Sequence, residues 1–107
     1  MEVVKNEISH QLLILANLIS LLFSHIEDNC WRCQRNIFYY ENLVRDLREE
    51  TQLEPFYLRG KYIQRRIRNV CENIELEHVS KEKEYDILMK DIRKNCYQII
   101  LKLSSNV

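Results

Sequence analysis

His25, Cys30 and Cys33 have the most pointed spacing in this 107-residue chain. Two thiolates separated by two residues can hold one zinc ion, and a nearby imidazole is a common third ligand. Cys71 or His78 would complete a Cys3His or Cys2His2 set. A second candidate is basic: Arg59, Lys61, Arg65, Arg66 and Arg68 fall within ten residues, with Tyr57 and Tyr62 beside them as stacking surfaces. Such a stripe suits the phosphates of a nucleic acid, or an acidic protein partner. The plainer reading is a solvated helix face balanced by Glu72, Glu75 and Glu77. Sixteen Lys and Arg against sixteen Asp and Glu favour that plainer reading, because phosphate binders usually carry an excess of cations. Trp31, Phe38, Tyr39 and Tyr40 form a third group, suited either to anchoring a protein partner or to packing over a helix corner.

The stretch SHIEDNCWRCQRN around the first group resembles the zinc-binding anti-sigma factors, whose helical domain carries H-x3-C-x2-C. The resemblance covers about ten residues and departs by one residue between His25 and Cys30. It implies a zinc-stabilised helical regulator, held together through His25, Cys30 and Cys33. The alternative for the same residues is a core-facing Cys33 and a surface thiol at Cys30.

Catalytic patterns are missing. There is no P-loop, G-x-S-x-G, H-E-x-x-H or EF-hand sequence, and a single glycine makes most of them unattainable. The all-helical HEPN ribonucleases resemble this chain in size and architecture, but no Arg precedes His10, His25 or His78 at their R-x4-6-H spacing. The expectation is a protein that is not an enzyme and needs no cofactor, with zinc as the alternative.

The elements that position these groups are helices. One Gly (Gly60) and one Pro (Pro55) cannot supply the positive-φ turns of an all-β fold. Apolar residues recur instead at helical spacing. Ile8, Leu12, Leu15, Ile19, Leu22 and Ile26 make one seam; Cys33, Ile37, Tyr40, Val44 and Leu47 make the next. Ile63, Ile67, Val70 and Ile74 follow, then Tyr85, Leu88, Ile92, Cys96, Ile99 and Leu103. These seams predict helices over 4–27, 31–50, 56–77 and 81–103, the last capped by Ser80. Short connections make them antiparallel neighbours in a single-domain, all-α four-helix bundle. On helix 3, Lys61, Arg65 and Arg68 then face away from Ile63, Ile67 and Val70, with Arg66 flanking the core. Cys96 sits about 24 Å up helix 4 from the His25 corner and is excluded from any zinc set.

Helix 1 carries more than its seam. Ile14, Leu18 and Leu21 lie on another face, with Leu13, Ala16 and Phe23 between. A helix apolar nearly all round is either central in its fold or packs against another chain. Leu12 to Phe23 has ten apolar residues in twelve, too short a run for a bilayer span. Glu2 and Glu7 precede it where a signal peptide would be basic. The chain therefore reads as a cytoplasmic interaction module, a small adaptor, inhibitor or assembly subunit. Its partner would be another protein or a second copy, met through Ile14, Leu18, Leu21, Trp31 and Tyr39, with no membrane involved. The nucleic-acid alternative uses Lys61, Arg65, Arg66 and Arg68.

Overall fold

The computed structural model describes residues 2–26, 30–53, 56–76 and 79–105, and only the backbone of residues 2–3, 56–59 and 105. Four α-helices follow one another: α1 (Glu2–Leu21), α2 (Trp31–Glu50), α3 (Phe56–Asn73) and α4 (Glu82–Ser105). No strand occurs among the described residues. The chain is an all-α four-helix bundle, elongated at 44 × 22 × 18 Å.

Cross-helix bonds fix an antiparallel order. Near one end, Lys5 Nζ donates to the Gln52 carbonyl at 3.2 Å and Lys102 Nζ meets Glu7 Oε2 at 2.9 Å. At the other end the Ser80 N–H donates to the His25 carbonyl at 2.8 Å, and Ile26 and Val79 form a single antiparallel bridge pair. The helices thus alternate in direction. α1 packs on α2 and α4, and α3 packs closely on α4 and more sparsely on α2. This removes the central-helix reading of helix 1: α1 is a corner of the bundle, with Ile14 and Leu21 left 37% and 55% exposed.

Every apolar seam read from the spacing lies in the core, apart from Ile26, which is half-buried. Large side chains from Ile8 to Leu103 are sealed below 2% exposure, and the buried residues form one continuous cluster. Each such Leu or Ile contributes about 1.5–3 kcal/mol by leaving water.

The helix ends differ from the expected ones for local reasons. The α-helical part of helix 1 stops at Leu21, and Leu22–His25 tightens into a 3-10 turn. Ser24 Oγ donates to the Leu21 carbonyl at 2.7 Å there, competing with the regular helical pattern. Helix 3 ends at Asn73, whose amide folds back onto the Asn69 carbonyl at 2.9 Å. The chain then turns Leu76 inward, its N–H donating to the Tyr85 hydroxyl at 3.0 Å. Ser80 does not cap α4, because the helix begins at Glu82 and leaves Ser80 one residue before the cap position, with its N–H donating to the His25 carbonyl. Lys81 stands at that position instead, with φ 53°, and its carbonyl accepts the Tyr85 N–H. A left-handed lysine costs about 1 kcal/mol, which the surrounding corner contacts hold in place.

Candidate functional site

Two surfaces concentrate what the core leaves over. The first is the outer side of α1. From Ser9 to Ile26 the chain carries no Asp, Glu, Lys or Arg. At about 100° per residue, Ile14, Leu18 and Leu21 fall together on the side of α1 that turns toward α4. Leu18 is half-buried, while Ile14 and Leu21 are exposed. The register set by Glu7–Lys102 and His25–Ser80 brings Ile87 of α4 level with Leu21. Ile87 is 54% exposed and extends the apolar strip across the α1–α4 seam. Sequence reasoning missed Ile87, because it lies off the α4 seam with charged residues one turn away on either side, and only the register assigns it to this strip.

The same segment passes a second test. Val4–His25 is long and apolar enough to cross a membrane by length and composition. The twelve-residue run counted in the sequence is therefore too narrow a measure, since uncharged flanks lengthen it. In the fold this segment supplies one side of the core, through Ile8, Leu12, Leu15, Ile19 and Leu22.

Trp31 and Tyr39 do not join that strip. Trp31 is 65% exposed at the start of α2, with the Arg35 guanidinium 4.9 Å from its ring centre. Tyr39 lies on the other flank of α2, toward α3, with its ring edge-on to Tyr40 at 5.1 Å. The five residues expected to form one partner surface are spread over different sides of the bundle.

The second surface is the seam between α2 and α3, where packing is sparsest. A cleft of about 470 Å³ opens there. Arg32, Arg35, Asn36, Tyr39 and Tyr40 line its α2 wall, Cys33 lies at its floor, and Glu75 stands opposite. Asn36 Nδ2 donates to the Glu75 carbonyl at 3.1 Å and ties the two walls together. Further along α3, Arg65, Arg66, Arg68, Asn69 and Glu72 line a shallower hollow of about 440 Å³. Lys61, Arg65 and Arg68 are exposed, as the helical spacing requires. Arg66 is half-buried, and its Nε donates to the Tyr62 hydroxyl at 3.2 Å. That bond, then the nearby Tyr62 ring, raises the already high pKa of Arg66. The side chains of Tyr57 and Arg59 lie outside the described residues.

None of Arg32, Arg35, Arg65, Arg66 and Arg68 forms an ion pair, so the expected balance by Glu72 and Glu75 is not made by direct contact. Elsewhere arginines are engaged: Arg45 pairs with Glu41 at 3.0 Å, and Arg48 Nε donates to the Ser9 carbonyl at 3.3 Å. Arg32 and Arg35 were not among the basic residues singled out in the sequence, because they sit on a different helix from the helix 3 stripe. Their signal was nonetheless present: Arg32, Arg35, Asn36 and Tyr39 follow the i, i+3, i+4, i+7 rule for one helix face.

The candidate zinc ligands are only partly gathered. His25 is buried, and its Nδ1 has no hydrogen-bond partner. Cys30 stands at the N-terminal boundary of α2 and Cys33 in its first turn. Cys71 is turned away to α4, where its thiol meets that of Cys96. Burial, and then the neighbouring Cys71, pushes the Cys96 thiol far above the ordinary cysteine range. Cys71 is thereby removed from the candidate set, and His78 lies outside the described residues. No group of three metal-ligating side chains occurs among the described residues. None of the four cysteines is in a disulfide.

No family model, curated protein or solved structure matches the chain.

Proposed function

We propose that this protein is a non-enzymatic, cytoplasmic interaction module that binds an amphipathic helix of another protein along the α1–α4 seam. The observation that carries the reading is the charge-free outer side of α1, where Ile14 and Leu21 are exposed and Ile87 of α4 stands level with Leu21. An apolar strip of this kind on a folded domain marks a contact site or a solubility liability. Its α4 border carries Lys94 and Asp91, both exposed. An apolar helix with charges of both signs along its edge would therefore match the strip, as helix-in-groove recognition requires. Trp31 and Tyr39 fall outside this contact and are assigned no part in it.

Site-specific photocrosslinking in the native host tests the reading. A crosslinker at Leu21 is expected to capture one discrete partner. The same group at Tyr97, which is 60% exposed on the α3 side of α4, is expected to capture none. Ile14→Lys should abolish the Leu21 product. Equal labelling from both positions, or a product that survives Ile14→Lys, would refute the reading. Capture of a second copy of the chain would replace the heterologous partner by self-association.

A further inference from the structure

The α2–α3 cleft has the features of a small-molecule site, independent of the α1–α4 strip. Its volume, about 470 Å³, falls within the roughly 300–1,000 Å³ typical of ligand pockets. Two guanidinium groups without carboxylate partners, Arg32 and Arg35, stand on one wall. They lie one helical turn apart, suited to sharing a single dianion between them.

Tyr40 supplies a separate indication. It is only 8% exposed, lines the cleft, and its hydroxyl makes no hydrogen bond to the protein. A buried tyrosine hydroxyl ordinarily finds a partner. This one is not sealed from solvent, so the cleft is where its partner would come from. Burial, then the adjacent Tyr39, raises its pKa, so it remains protonated and can donate.

The remaining groups narrow the ligand. Tyr39 is 54% exposed at the cleft and offers a ring face to a planar group. Asn36 spends its amide N–H on Glu75, which leaves its oxygen to accept from an amino group. The Glu75 carboxylate on the far wall repels a phosphate toward α2 and accepts from sugar hydroxyls. We infer that the α2–α3 cleft binds a nucleoside monophosphate, with the phosphate between Arg32 and Arg35, the Tyr40 hydroxyl donating to it, and the base against Tyr39.

Calorimetry on the full chain, with adenosine monophosphate, adenosine and inorganic phosphate as separate titrants, tests this. The nucleotide should bind at least about tenfold more tightly than either fragment, because only it engages both the arginines and the ring. Arg32→Gln with Arg35→Gln should weaken it by about tenfold or more. Tyr40→Phe, which keeps the ring and removes only the hydroxyl, should weaken it several-fold. The nucleotide should also shift the NMR signal of the Trp31 indole, since Arg35 rests on that ring. Circular dichroism confirms that each variant is folded. Absence of saturable nucleotide binding, or equal binding by the double glutamine variant, would overturn the site. Phosphotyrosine binding as tightly as the nucleotide would overturn its assignment to a nucleotide.

Discussion

The outer side of α1 and the seam between α2 and α3 belong to helices of similar length that feed the same core, yet they leave opposite residues behind. α1 gives Ile8, Leu12, Leu15, Ile19 and Leu22 to the interior and still has Ile14 and Leu21 exposed. α2 gives Cys33, Ile37, Tyr40, Val44 and Leu47, and what remains toward α3 is Arg32, Arg35, Asn36 and Tyr39. One surface is surplus apolar area; the other is surplus positive charge beside aromatic rings. The interior accounts for neither. Each surplus has a cost in a molecule that uses it for nothing: exposed leucines invite aggregation, and unpaired arginines repel one another.

The largest effect should come from the part both surfaces share. Leu15 is fully buried on the α1 seam, and Leu15→Asp places a charge there with no partner, at a cost comparable to the whole stability of a small domain. Far-UV circular dichroism should show loss of the helical fold. A folded, helical Leu15→Asp protein would mean that the core is not arranged as described.

A smaller effect separates the surplus from the core within α1 itself. Ile14→Lys with Leu21→Lys should change stability by no more than about 1 kcal/mol, as expected for exposed positions. Leu18→Lys should cost more, because Leu18 is half-buried against the cluster. Urea titrations of the three proteins rank them. If the double variant is the least stable, the α1 strip belongs to the core and the comparison collapses.

The last effect is absent at neutral pH and develops only in alkali. The Cys96 thiol has its pKa raised in the folded chain. It therefore contributes stability below the ordinary thiol pKa of about 8.5, and that contribution is lost as pH rises above it, where the unfolded chain ionises first. The loss from this one group approaches about 1.4 kcal/mol per pH unit. Cys96→Ala should be less stable at neutral pH because it leaves a cavity, but its stability should fall less steeply between pH 8.5 and 10. Equal slopes would show that Cys96 does not titrate in this way.

The seams were legible in the sequence because an apolar residue every three or four positions has one helical solution. Ile37, Val44, Ile67 and Ile92 needed no further information to be placed. Chain reversals were less legible. Ser80 is a better cap by type than Lys81, but it is tied to the His25 carbonyl, fifty-five positions earlier, and α4 starts only after Lys81. Cys71 illustrates the same limit. Sequence distance put it near the His25 corner, whereas the side of α3 on which it lies points it to Cys96. The cleft escaped for a third reason: its two walls come from different helices, and their pairing depends on which neighbours the bundle packs loosely.

The bond from Ser80 to His25 also decides how the bundle can open. With the Ile26–Val79 bridge, it clasps the turn between α1 and α2 to the turn between α3 and α4. The molecule is then two helical hairpins joined along the α1–α4 edge, as pages are at a spine. Its free edge is the sparsely packed line between α2 and α3. Opening along that edge breaks fewer packing contacts than parting the spine, so it is the expected first step of local unfolding. Anything lodged between Arg32 and Glu75 would act as a clasp on the free edge, holding the two hairpins shut.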